Sequence, residues 1–186
     1  MRRARPLVRL SAALFVASLV VGASTSHAAS ASQLNRDGAA ALKRLYASQS
    51  SARLLGKSAK RILVFPSIVK AGFMFGGQLG DGVLFNNAGK PLGYYNSVAA
   101  SYGFQAGVQT FGYALFFMND AALRQLDDTN GFEVGVGPSI VVVDEGVGKS
   151  MTSNTLTSDV YAFIFSQKGL MAGMGIQGSK ITRIDK

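Results

Sequence analysis

The sequence predicts an α+β fold dominated by β-structure: a strongly curled antiparallel sheet or small barrel, with helices at the N-terminus and one inserted later. Three observations lead there. Helical periodicity ends near residue 61, and beyond it β-branched, aromatic and glycine residues gather in short runs. Glycines recur at fixed spacing inside those runs, where a sheet can coil sharply.

The chain opens on a basic stretch, Met1 to Arg9, followed by twelve uncharged residues from Leu10 to Val21. Twelve is short of the about 20 apolar residues that span a bilayer as a helix. With Ser26 and Ala28 as the small residues ahead of a cleavage point, residues 1–28 read as an export signal cut after Ala28, and the periplasm or cell envelope is the expected destination. The mature chain then has 158 residues, enough for one domain with a real core. Four of the nineteen basic residues leave with the signal, so fifteen remain against ten acids, a net charge of +5. Cysteine is absent, which removes both a lipobox and disulfides and leaves packing to hold the fold.

Residues 29–61 are expected to form two basic amphipathic helices that complete one unit with the β-rich 62–186. Leu34, Ala41, Leu42, Leu45 and Tyr46 recur at helical spacing from Ser32 to about Ser48; Ala52, Leu55 and Ala59 do so from about Ser51 to Ala59. No acid occurs between Asp37 and Asp81, whereas Lys43, Arg44, Arg53, Lys57, Lys60, Arg61 and Lys70 all do. Such a face suits anionic lipid head groups or acidic polymers rather than nucleic acid in an exported protein.

The predicted strands are Ile62 to Phe65, stopped by Pro66; Gly72 to Gly77; Gly82 to Phe85, closed by the turn Asn86-Asn87-Ala88-Gly89; and Tyr94 to Gln109. Tyr113 to Met118, Phe132 to Val136, Ile140 to Val143, Val160 to Phe165, Gly169 to Ile176 and Lys180 to Ile184 follow. Tyr113 to Met118 and Val160 to Phe165 are apolar on both faces, as doubly covered strands are. One helix interrupts the series at Asp120 to Asp127, with Asn119 or Asp120 as N-cap and Leu123 and Leu126 inward.

A motif of glycine, bulky residue, two residues, glycine occurs four times, at Gly72/Gly76, Gly103/Gly107, Gly131/Gly135 and Gly169/Gly173. With a period of two on a strand, the glycines of each copy share a face, which permits curvature or the close approach of an acyl chain to the backbone. Between 94 and 109 the even positions (Val98, Ala100, Tyr102, Phe104, Ala106, Val108) are expected to face the core and the odd ones to be the small or polar face.

The only histidine, His27, lies in the signal, so the mature chain lacks Ser-His-Asp and Cys-His systems and zinc or copper sites of ordinary ligand type. No enzyme, cofactor or metal is expected. Asp127-Asp128 and Asp144-Glu145 are neighbours whose side chains diverge on a strand and which suit turns and caps. Gly146-Val147-Gly148-Lys149-Ser150 lacks the leading glycine of a phosphate loop, since Val143 stands there. Gly76 to Gly82 reads as a hairpin connection and Asp127 to Gly131 as a turn rather than a calcium loop.

Ala59-Lys60-Arg61-Ile62-Leu63-Val64-Phe65-Pro66, Val69 to Phe73, Gly76-Gly77 with Gly80 and Gly82, Gly93-Tyr94-Tyr95, Tyr102 to Gly107, and Lys168-Gly169-Leu170 with Gly178 to Ile181 together resemble the SYLF domain family over about Ala52 to Ile184. The resemblance implies a lipid-binding module, phosphoinositide-binding in eukaryotic members, with a yeast-type actin-binding name attached. For an exported chain it implies anionic phospholipid or a membrane surface as partner and makes actin an unsuitable one. Two alternatives remain open: an integral outer-membrane β-barrel, and a protein-interaction scaffold in the envelope.

Overall fold

The computed structural model describes residues 29–127, 131–133, 140–143, 157–171 and 179–186. Helices α1 (Ala31–Ser48) and α2 (Ser50–Ser58) come first, as their periodicity predicts. Ser30 caps α1 by accepting from the Gln33 N–H, and Gln49 ends it in an extended conformation before α2 begins. Leu34, Gly38, Ala41 and Leu45 of α1 and Ser51, Ala52 and Leu55 of α2 are buried against the sheet.

Two long strands follow, β1 (Arg61–Asn86) and β2 (Pro91–Phe117), and they make one antiparallel hairpin. Its turn is the predicted one. Asn86 Oδ1 accepts from the Ala88 and Lys90 N–H groups at 3.0 and 2.8 Å, and Gly89 supplies the positive φ of 75°. Three expected strands are thus a single β1. Pro66 does not stop the strand because it falls in a bulge, where the register shifts between Phe65 and Ile68 and the ladder asks no N–H of it. Gly76 to Gly82 is likewise strand, paired with Tyr95 to Ser101, and not a hairpin connection.

β2 organises the rest. Along one edge lies β1; along the other lie β5 (Val160–Met171), opposite Gly107 to Phe117, and β6 (Lys180–Ile184), opposite Tyr94 to Val98. Short strands β3 (Phe132–Glu133) and β4 (Ile140–Val142) extend β6 and β5. The β4–β5 pair is parallel, so the curled sheet is mixed rather than wholly antiparallel. Helix α3 (Asp120–Leu126) occupies the predicted place, its Asn119 cap accepting from the Ala122 N–H and Leu126 buried.

The sheet carries a hydrophobic cluster on each face. On one, Ile62, Val64, Val83, Phe85, Ala114, Phe116 and Phe163 pack beneath α1 and α2. On the other, Leu63, Phe65, Ile68, Tyr95, Tyr113, Leu115 and Phe117 meet Leu126 of α3 and Phe132 and Ile181 of the β3–β6 flap. Of the stretches expected to be covered on both faces, Tyr113 to Met118 and Val160 to Phe165, all are buried except Met118 and Ile164, which are partly so. β1 also folds back on itself: a Cβ at Gly80 would stand 2.7 Å from the Ser67 carbonyl oxygen, and one at Gly82 2.6 Å from the Phe65 ring.

Two outcomes test this arrangement. Gly80→Ala drives a methyl into backbone that cannot rotate aside, and is expected to cost about 1–3 kcal/mol in denaturant unfolding. Tyr113 is fully buried, its hydroxyl has no hydrogen-bond partner among the described residues, and burial holds its pKa above the usual tyrosine value. Above pH 10 the unfolded chain loses this proton while the folded one keeps it, so stability falls as pH rises. Tyr113→Phe is expected to stabilise by about 1 kcal/mol and to flatten that alkaline decline in thermal melts.

Candidate membrane-facing site

The alternation of β2 places its odd residues on the α3 side and its even residues on the α1–α2 side. Near the base both faces are covered. Further along the strand the even face is open: Val98 and Val108 are about half exposed, and Ala100 and Ala106 are exposed. β1 continues the same open face with Val69, Phe73, Phe75 and Leu79, and β5 adds Leu170; Phe73, Phe75 and Leu170 are 75%, 68% and 90% exposed. The covered face below holds Lys70, Gln78, Ser97 and Gln109, all buried.

This reverses the expectation for 94–109. The even positions that can be described face solvent, and Ser97, Ala99 and Gln109 are inside. The reason is the fold-back of β1, which closes the α3 side of the distal ribbon over small and polar residues and turns the apolar side outward. Apolar outside over polar inside is the pattern of strands that meet lipid.

Of the predicted glycines, Gly72 and Gly107 pair directly across the ribbon, Gly76 pairs with Ser101, and Gly103 lies where β2 runs three residues past one of β1. Gly169, with φ of 94°, would bring a Cβ onto the Val108 carbonyl. At Gly72 the close neighbours are Gly76 Cα and the Phe75 carbonyl, 2.5 and 2.6 Å from an added Cβ. These glycines therefore let the ribbon bend. Gly131 is remote from them, beside Thr182 and Ile181, and Gly135 and Gly173 lie outside the described residues.

The predicted basic set does not form one face. Lys70 is 7% exposed, on the covered side of the ribbon. Lys60 pairs with Asp120 at 3.5 Å, Arg61 donates to the Lys60 carbonyl at 2.6 Å, and both stand at the base, where Arg61 meets Phe117. Arg53 donates to the Tyr46 carbonyl at 2.6 Å. Lys57 is exposed, and Lys43 rims a small apolar cleft with Leu42, Tyr46 and Phe85. Arg44 alone of the seven lines a cleft next to the open apolar face, together with Lys168. Sequence reasoning missed Lys168 because its neighbourhood is made by the Thr110–Lys168 strand pairing.

Among the described residues no group of three or more His, Cys, Asp or Glu side chains could hold a metal, and no helix is long and apolar enough to cross a membrane. Asp127 has a structural role: its Oδ1 accepts from the Tyr95 hydroxyl at 2.7 Å and from Arg183 at 3.4 Å. Asp128, Asp144, Glu145 and the stretch Gly146 to Ser150 lie outside the described residues.

A β-dominated domain with helices over half of one sheet face, and bare apolar side chains on the other half, defines a binding module. Residues 98–186 match the family model for Ysc84, described as Las17-binding protein actin regulator, and this is the SYLF family that the sequence resembles. The match runs from Val98 of β2 through β6 and includes Val108, Lys168 and Leu170. No curated protein matches the chain.

Phe73 and Phe75 are mostly exposed and belong to neither buried cluster. Phe73→Ser with Phe75→Ser is expected to leave thermal stability within about 0.5 kcal/mol of the parent while lowering binding of an apolar dye such as ANS.

Proposed function

We propose that this protein is an exported, peripheral lipid-binding module that enters one face of a membrane with the distal end of its β1–β2 ribbon and prefers anionic phospholipid. One observation carries the reading: Phe73, Phe75, Leu79, Val98, Val108 and Leu170 are exposed together on one face while Lys70, Gln78, Ser97 and Gln109 are buried beneath them. In water that arrangement is unfavourable, and in the acyl region of a bilayer it is not.

Magnitudes rank the two attachment modes. A fully buried Phe or Leu contributes about 1.5–3 kcal/mol, and a basic residue near an anionic surface about 1 kcal/mol. Three or four ribbon side chains therefore outweigh the predicted basic residues of 29–61, of which Arg53 is engaged with the Tyr46 carbonyl and Lys60 with Asp120. Charge supplies the preference among lipids, and apolar burial supplies the affinity.

Export is proposed from the basic stretch, short apolar run and small residues at 26 and 28, and it favours a membrane partner in the periplasm or envelope over actin. An integral barrel is disfavoured by the base of the sheet, where α1, α2 and α3 cover both faces.

Because the chain has no tryptophan, Phe75→Trp provides a single reporter. With vesicles containing phosphatidylglycerol its emission is expected to shift to the blue and to be quenched by brominated acyl chains. The Phe73→Ser, Leu170→Ser pair is expected to reduce co-sedimentation at least tenfold, whereas Lys43→Ala with Lys57→Ala reduces it only a few-fold. Unchanged co-sedimentation of the Phe73/Leu170 variant overturns the proposal.

A further inference from the structure

We propose that the cleft between Arg44 and Lys168 binds the phosphate of an anionic phospholipid head group and fixes the level at which the bilayer surface crosses the molecule. The inference rests on the membrane reading above and adds to it a ligand site. The cleft has a volume of about 430 Å³, and Ser67, Thr110 and Ser166 line it with the two cations. Among the described residues no carboxylate lines it. Neither Arg44 nor Lys168 has an ion-pair partner among the described residues, and both side chains are exposed. Two positive charges over three hydroxyl donors suit a phosphate ester: guanidinium and ammonium neutralise it, and the hydroxyls satisfy the remaining oxygens.

The site is built by the backbone rather than by chance surface lysines. Both ladders of β2 are interrupted at the same level: β1 carries an extra residue at Pro66–Ser67, and β5 carries one at Ser166–Gln167, each opposite the Phe111–Gly112 region. A bulge takes a residue out of the ladder and re-aims its side chain. Ser166 has φ of 53°, the one positive φ at a described non-glycine residue, a costly conformation that only the surrounding structure maintains. Gly112 is required between the bulges, since a Cβ there would stand 2.5 Å from the Phe165 ring.

Position links the cleft to the membrane. Thr110 and Lys168 are cross-strand partners, and two residues further along the same face stand Val108 and Leu170, also partners. Ser67 likewise precedes the exposed Val69. Cationic and hydroxyl groups thus border the apolar face directly, as head groups border acyl chains.

The test uses the mature protein with vesicles of phosphatidylcholine alone or mixed with phosphatidylglycerol or phosphatidic acid, and separately with inorganic phosphate. Arg44→Gln with Lys168→Gln is expected to lose about tenfold in affinity for the anionic vesicles, with binding to phosphatidylcholine and thermal stability unchanged. The charge-matched Lys43→Gln, Lys57→Gln protein is expected to lose no more than two- to threefold. Equal losses in the two variants, or none in the first, overturn the cleft while leaving the membrane reading intact if the Phe73/Leu170 variant still fails to bind. Saturable binding of inorganic phosphate to the parent at micromolar concentration, abolished in the Arg44/Lys168 variant, identifies a free-phosphate site and overturns the head-group assignment.

Discussion

Along β2 every second side chain faces the same way, from Tyr94 to Ala100 and again from Ala106 to Phe117. The face that α1 and α2 bury at Ala114 and Phe116 is therefore the face that presents Val108 and Val98 to solvent. A strand cannot change that sidedness without inserting or omitting a residue. β1 and β5 do insert one each, at Pro66–Ser67 and Ser166–Gln167, and in doing so keep their own apolar side chains on β2's open side. Val69 and Leu170 would otherwise point inward.

From this sidedness follow both the core and the exposed end. At the base, helices on one side and the α3 and β3–β6 layer on the other remove Phe65, Phe116, Phe117 and Phe163 from water. At the distal end the covered face is made of glycine, serine, glutamine and Lys70. These residues cannot drive a core, but they permit the bend at Gly72 to Gly76 and Gly103 to Gly107. The apolar side chains there keep much of their surface in water, so the free energy of burying it remains available for association with a lipid phase.

The helices, the cap of α3 and the hairpin turn were legible because each rests on local chemistry: helical spacing in α1 and α2, Asn119 as cap, Asn86 and Gly89 in the turn. Strand length was not, because whether Pro66 ends a strand depends on a bulge that its partner defines. The two faces of 94–109 were also legible, but periodicity separates faces without saying which is covered. That choice is tertiary, made by the fold-back of β1 and by the reach of α1. Arg44 could be found as a cation on α1; its grouping with Lys168 depends on a pairing between residues 110 and 168.

The same geometry limits how deeply the molecule can enter a bilayer. From Ser67 at the cleft to Met74 at the far end of the ribbon is seven residues, at most about 23 Å of strand at ~3.3 Å per residue, and the bend at Gly72 shortens it. The hydrocarbon core of a bilayer is about 30 Å thick, so each leaflet contributes about 15 Å. A ribbon anchored with its cleft at the phosphate level reaches through one leaflet and falls short of the opposite surface. The two strands pair with each other down to Phe73–Ala106 and again from Phe75–Tyr102, with Met74 and Gly103 to Gln105 outside that ladder at the tip. The bare length of the ribbon therefore matches attachment to a single leaflet, and the covered base, with its two buried faces, stays in water.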